Sequence, residues 1–434
     1  MLLEIVGSIV AGGIVAYSSY QKSGGSSDTA KIQRICSANG LIVKENGQTK
    51  NMQLLRRTRH VWGVEYAYRI PLGLSFEDFQ NKKNHLQDGL NNKRSVLDVT
   101  WEDLKQLKLS KRVFDDIKTL LNKKKRHRKE IELSYDGLLK IRVYNEPLTD
   151  IFAYSDELIK KCKGWEVPIG ESRHGFIKYD FEKKAHIIVA GTTDFGKSNW
   201  VNSTINTLIK NQPENVSFTL IDLKGGLEFN QYKDLPQVGG RLAKNPEEAL
   251  ESLQAAVDKM DQTTEYLLAN GFRNVKEAGY KERHFIVIDE AADIADDKNC
   301  QELLKDIARK GRAAGLRLIY TTQYPTAETI SSQVKRNCIG RLCFVLDTAT
   351  ASTVVLDQGG AENLPLIQGR ALYKDVKLIE VQTPYISSEK IRENIKPLIN
   401  IRPRKEGVEK NGKVSPERTE RRKYTPVFEE TELS

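Results

Sequence analysis

Short apolar runs recur through the middle of the chain, each closed by polar or glycine-rich residues and separated from the next by a stretch of helical periodicity. The clearest cover residues 186–190, 217–221, 285–288 and 316–320. A strand buried on both faces reads as a continuous apolar run, and parallel strands need helical crossovers, so the pattern between residue 186 and about 373 predicts a parallel sheet covered by helices. Ligands of such sheets sit beyond the carboxyl ends of the strands, which draws attention to the polar residues after each run.

The flanks follow other rules. Apolar alternation over 60–70 predicts a strand, Ser75 with Asp78 predicts a helix start with a capping box, and Asp136-Gly137 predicts a turn between strands at 131–133 and 138–143. These elements make residues 31–150 a smaller α/β domain ahead of a larger domain at 151–395. Residues 2–20 carry one charge, Glu4, and 5–16 are wholly apolar or small. That length barely spans a bilayer core. With Lys22, Lys31 and Arg34 after it and no lysine or arginine before it, the segment at 1–20 is expected to be a single transmembrane anchor with the bulk of the chain in the cytoplasm. A peripheral helix is the alternative, and a cleaved signal peptide fits poorly without a basic leader. Residues 21–30, with Ser23-Gly24-Gly25-Ser26-Ser27, read as a flexible linker, and 396–434 as a basic polar tail.

Composition narrows the partners. The 434 residues carry a formal net charge of +10, which favours a polyanion, either nucleic acid or an anionic membrane surface, over a merely soluble basic protein. The densest positive stretch runs from Lys123 to Lys129. It reads as a solvated loop or as a contact for DNA phosphate or anionic lipid. Five cysteines without C-x-x-C spacing indicate reduced cytosolic thiols and no metal site.

Gly191-Thr192-Thr193-Asp194-Phe195-Gly196-Lys197-Ser198 directly follows the first apolar run and fits G-x-x-x-x-G-K-[ST] at every fixed position. In that motif the glycines let backbone N–H groups converge on phosphate, the lysine (here Lys197) reaches the β/γ oxygens, and the Ser198 hydroxyl ligates Mg²⁺. The cofactors expected are therefore ATP and Mg²⁺. The run at 285–288 leads into Asp289 and Glu290. Their placement suits Asp289 as the acid that organises the metal and Glu290 as the general base that polarises the attacking water. Arg312, in Gly311-Arg312-Ala313-Ala314-Gly315, and Gln323 flank the fourth run. Spacing alone leaves each open between a role at the γ-phosphate and a bland surface or strand-end position.

Taken in order, HIIVAGTTDFGKS, LIDLKGGLEF, FIVIDEAADI, KGRAAGLRLIYTTQYPT and VLDQGGAENL resemble the motor domain of FtsK/SpoIIIE DNA translocases. The resemblance implies a RecA-like P-loop ATPase motor that pumps double-stranded DNA as a hexameric ring. It implies that Arg312 is a finger acting across the subunit border, that Gln323 is the sensor glutamine with Pro325 after it, and that Lys224 and Glu228 lie near the nucleotide or that border. The region 60–150 looks like the smaller domain before such motors, with Pro168-Ile169-Gly170 as a glycine-containing turn into the motor. Three features depart from the family. Asp194-Phe195 replaces a small Gly-Ser pair, nothing after Asp375 resembles a winged-helix domain, and one short apolar segment stands where chromosomal members have several spans.

A compact, singly anchored motor resembles the coupling proteins of Gram-positive conjugative elements. The expectation is an ATP-driven DNA translocase, assembled as a homo-hexamer, that moves DNA toward a membrane channel with relaxase and secretion-channel proteins as partners. Plasmid or chromosome partition, and a secretion-type ATPase exporting protein, are the alternatives.

Overall fold

The computed structural model describes residues 28–45, 47–91, 95–97, 124–126, 129–238 and 242–399. The expected anchor at 1–20, most of the linker and the tail from residue 400 lie outside the described residues. Among the described residues no helix is long and apolar enough to cross a membrane.

The first region is built from helices α1 (Asp28–Ala38), α2 (Phe76–Asn81) and α3 (Lys83–Asn91) packed on four antiparallel strands, β1 (Gln53–His60), β2 (Gly63–Arg69), β3 (Glu130–Tyr135) and β4 (Leu139–Tyr144), in the order β1-β2-β4-β3. Ile32, Tyr66, Phe79, Leu86, Leu139 and Ile141 form its core. The Ser75–Asp78 capping box is present, and Gly137 at φ +90° turns β3 into β4. The alternation over 60–70 is not one strand. It continues through a tight turn, so that His60 ends β1, Val61 projects at the tip, and β2 begins at Gly63, where a Cβ would lie 2.1 Å from the Val143 carbonyl oxygen. The expected linker at 21–30 is also too long at its end, because α1 begins at Asp28. That carboxylate is buried against the ammonium of Lys129 at 2.6 Å. Lys129 is thereby removed from the expected phosphate- or lipid-binding run.

The second region is a nine-stranded sheet. In chain order its strands are β5 (Glu166–Ser172), β6 (Gly175–Asp180), β7 (His186–Ala190), β8 (Val216–Ile221), β9 (Arg283–Ile288), β10 (Leu316–Thr322), β11 (Gly340–Phe344), β12 (Arg370–Lys374) and β13 (Leu378–Gln382). In space they run β6-β5-β13-β12-β11-β7-β10-β9-β8. From β11 to β8 every pairing is parallel, and from β11 outward to β6 every pairing is antiparallel. All four predicted strands are present, and β11 is a fifth parallel strand that the apolar runs did not reveal, because Arg341 interrupts it. Pro168-Ile169-Gly170 lies inside β5 with a register shift at Gly170, not in a turn; the turn into β6 is at Arg173-His174.

Side-chain alternation sorts the parallel strands between two cores. Ile187, Val189, Val287 and Ile319 face helix α4 (Lys197–Asn211), meeting Trp200, Val201 and Ile205. Ile188, Ile286, Ile288 and Leu318 face α5 (Pro246–Ala269) and α6 (Lys298–Lys310), meeting Leu253, Met260, Leu304 and Ile307. With helices on both faces, the sheet leaves only its strand ends free for chemistry. The five cysteines are buried, unpaired thiols.

Candidate functional site

Beyond the carboxyl ends of β7, β8, β9 and β10 lies a cavity of about 750 Å³. Its floor is the loop 191–196. The loop is anchored at its start by Gly191 N–H to the Thr322 carbonyl (3.2 Å) and Thr192 N–H to the Val345 carbonyl (3.0 Å). Gly191 packs so tightly on Phe344 that a Cβ would sit 2.5 Å from the Phe344 Cβ. Gly196, at φ +106°, caps α4 and no side chain satisfies the helix N-terminus. The first-turn N–H groups and the positive end of a 15-residue helix are thus offered to an anion in the cavity.

Lys197 is 3% exposed, and its ammonium donates to the Asp289 carbonyl (2.6 Å), to Asp289 Oδ1 (3.2 Å) and to Thr321 Oγ1 (3.1 Å). Asp289 and Glu290 are both buried at the end of β9. Glu290 accepts from Thr322 Oγ1 (2.9 Å) and from Gln323 N–H on both oxygens (3.1 Å), with the Lys224 ammonium at 3.5 Å. Gln323 also accepts from Thr193 Oγ1 at 3.1 Å, so the glutamine after β10 touches both the phosphate loop and the Asp-Glu pair. The cavity therefore collects Gly196, Lys197, Ser198, Asp289 and Gln323 with Glu290 directly behind them. Ser198 and Asp289 supply hydroxyl and carboxylate oxygens, the donor set that a hard divalent cation such as Mg²⁺ takes.

The other residues named from sequence fall in different places. Lys224 and Glu228 line the cavity. Glu228 accepts from Asn202 at 2.5 Å, and burial, followed by the nearby charges of Asp289 and Asp222, raises its pKa. Arg312 is exposed at the amino end of β10, the opposite end of the sheet, and does not line its own chain's cavity. Its carbonyl accepts from Arg317 Nη1 at 3.3 Å. Asp194 is exposed beside the cavity with φ +68°, a left-handed conformation that a small Gly would adopt without strain.

Two sets of cavity residues escaped the sequence reading. Asp222, fully buried after β8, accepts N–H bonds from Lys224, Glu228 and Phe229 and so folds the loop that carries Lys224 and Glu228. Its signal was an acid closing an apolar run, the same signal that identified Asp289. The wall facing the phosphate loop comes from Asp150, Ile151, Gln368, Gly369, Gln382 and Tyr385. Gly369 N–H donates to the Phe195 carbonyl at 2.9 Å, which joins that wall to the loop. Exposed Ile151, Leu227 and Tyr385 give the cavity an apolar rim suited to a flat ring.

A buried strand, a glycine loop, an uncapped helix and an acid pair at the end of the next strand but one define a P-loop fold of the mixed α/β class. Residues 166–295 match the model of the FtsK/SpoIIIE family, and the chain carries a domain of that family. It is 34% identical over 275 residues to the DNA translocase FtsK of Leptospira interrogans serogroup Icterohaemorrhagiae, covering 58% of this chain and 29% of that protein. With the DNA translocase FtsK of Lactococcus lactis subsp. lactis it shares 32% over 250 residues, 52% of this chain and 32% of that protein. The chain thus spans about a third of the length of the curated relatives it matches. In fold it is similar to the pCW3 conjugation coupling protein TcpA, solved as a monomer with ATPgS, at a TM-score of 0.55 and 22% identity over 85% of this chain and 99% of that one. EssC (ATPases 2 and 3) from Geobacillus thermodenitrificans is also similar, with a TM-score of 0.51 and 15% identity over 58% of this chain and 51% of that one.

Proposed function

We propose that the protein is an ATP-driven DNA translocase with a RecA-like motor, and that it serves as the coupling protein of a conjugative element. The observation that carries the hydrolytic part is the convergence of Lys197, Asp289 and Gln323 on one cavity floored by an uncapped helix N-terminus, with Glu290 held directly behind them by the Gln323 N–H. ATP enters with its phosphates over residues 191–198 and its base toward the rim of Ile151 and Tyr385. Lys197 exchanges its contacts with Asp289 for phosphate oxygens. Ser198 and Asp289 would hold Mg²⁺, which supplies charge neutralisation at the phosphates when bound. Glu290, fixed by Thr322 and the Gln323 N–H, accepts the proton of the attacking water, and the Gln323 side chain orients that water.

Arg312 reaches a nucleotide only if a neighbouring copy brings it there, and its exposure at the far end of the sheet supports a finger acting in trans within a homo-hexameric ring. DNA in the centre of such a ring is held through phosphates, with strong salt dependence and little sequence preference. The conjugative assignment is supported by the likeness in fold to TcpA over nearly all of that chain. Relaxase and channel components are the partners that role calls for, with the N-terminal segment holding the motor at the membrane.

ATP hydrolysis measured with and without double-stranded DNA tests the reading. Strong stimulation is expected, and an assembled protein indifferent to DNA would overturn it. For the ring, Arg312→Ala and Lys197→Ala subunits are each expected to be inactive alone and to regain hydrolysis when mixed. Absence of rescue in demonstrably mixed rings would remove the trans finger.

A further inference from the structure

A chain of ion pairs that the proposed chemistry does not use joins the nucleotide cavity to the small sheet. Arg370, which opens β12, is 1% exposed and fully partnered. Its Nε donates to Gln382 Oε1 (2.9 Å), Nη1 to Glu380 Oε1 (2.9 Å), and Nη2 to the carbonyls of Leu148 (3.2 Å) and Thr149 (3.0 Å) and to Asp150 Oδ1 (3.1 Å). The other oxygen of Glu380 accepts from Arg173 Nη1 at 2.8 Å. Arg173, in the turn between β5 and β6, donates in turn through Nε to Glu130 Oε2 at 2.9 Å, and its Nη2 meets the same oxygen. Glu130 opens β3, an edge strand of the four-stranded sheet.

The inner end of this chain meets the cavity directly. Asp150, Gln382 and Gly369 are all part of its wall. Gln382 Nε2 donates to the Gln368 carbonyl at 2.7 Å, and Gly369, next to Arg370, donates to Phe195 of the phosphate loop. The path therefore runs from loop to wall to buried arginine to small sheet without a gap. Guanidinium groups hold carboxylates in fixed planar geometry, and a buried one keeps that geometry only while each partner stays in place.

We propose that Arg370, Glu380 and Arg173 are positioning residues that tie the cavity wall to Glu130, so that the placement of the small sheet sets nucleotide affinity. The inference rests on the nucleotide reading of the cavity. Coupling of this kind is reciprocal: if the tie strengthens nucleotide binding, bound nucleotide must strengthen the tie.

The test is a double-mutant cycle on the full chain, titrated with ATPγS. Glu130 lies outside the cavity, yet Glu130→Gln is expected to weaken ATPγS binding about fivefold, raising KM for ATP while kcat at saturating ATP stays within about twofold. Added to Glu380→Gln, the Glu130 change should cost much less than it does alone, because both break one path. Hydrogen exchange supplies the reciprocal readout, with ATPγS slowing exchange at Ile131 and Leu133 in wild type and not in Glu130→Gln. Normal wild-type binding together with an unchanged Kd in folded Glu130→Gln overturns the tie alone. Failure of the wild-type protein to bind ATPγS overturns the nucleotide reading and the tie with it. Should Glu380→Gln not fold, the Glu130→Gln affinity and exchange results still decide.

Discussion

The two sides of the cavity are made in different ways. The phosphate side is local: eight consecutive residues, 191–198, supply the loop, its lysine and its hydroxyl, and the acid pair follows its strand directly. The opposite wall is gathered from residues 150–151, 368–369 and 382–385, which meet only because antiparallel strands extend the sheet past β11 and a buried arginine pins the pieces together. One side is specified by a contiguous motif and the other by tertiary contacts. They should fail differently, the first by losing chemistry and the second by losing fit.

The largest effect should follow a break in the local side. Lys197→Ala should lower ATP turnover by about 100-fold or more, by analogy with the loss of a single charge-stabilising donor, with the fold intact by circular dichroism. Glu290→Gln should separate chemistry from binding: hydrolysis falls about 100-fold or more while ATPγS still binds. A Glu290→Gln protein that hydrolysed normally would remove the general-base role.

On the assembled wall, smaller losses of another kind are expected. Gly369 sits at φ +82°, and a Cβ there would lie 2.6 Å from Gln382 Nε2. Gly369→Ala should therefore destabilise the protein by about 1–2 kcal/mol, read as a lower melting temperature, and should weaken ATPγS binding by displacing the Gln382 side chain. Unchanged stability and affinity would show that the wall tolerates distortion. Acid offers a graded version. Burial works to raise the pKa of Glu380, but Arg173 and Arg370 hold it below its ordinary value. A carboxylate lowered in the folded state contributes stability that is complete above its ordinary range and is lost as pH falls through the lowered value. Wild type should lose stability over that acidic interval, and Glu380→Gln, less stable at neutral pH, should show the shallower decline in a pH series of thermal melts.

The smallest effect belongs where the local side departs from its family. Asp194→Gly removes a left-handed non-glycine residue and an exposed negative charge beside the phosphates. It should stabilise the loop by about 1 kcal/mol and tighten ATPγS binding about two- to threefold. Unchanged affinity would mean that the carboxylate points away from bound phosphate.

The same division explains what could be read from the chain. Buried parallel strands announce themselves as unbroken apolar runs, and Asp289, Gln323 and Lys197 each lie in the polar residues that follow such a run. The antiparallel extension carries Arg370, Glu380 and Gln382 on strands that look solvated, because the buried Arg370 is satisfied by Gln382 and Glu380 on the next strand and by Asp150 far off in the sequence. Spacing could not show that Arg370 meets Asp150, more than two hundred residues earlier. The hairpin at 61–62 was hidden for the opposite reason, since its alternation runs uninterrupted through the reversal. Arg312 was legible as a motif, but only the sheet shows that it lies at the end opposite its own cavity.

The contacts of Lys197 carry one more consequence. Its ammonium already has three oxygen partners, one of them the carboxylate of Asp289. The ammonium that faces the loop is thus paired locally with a carboxylate, which lowers the positive potential at that point of the cavity. Filling the site becomes an exchange of partners, with a release step that must come first.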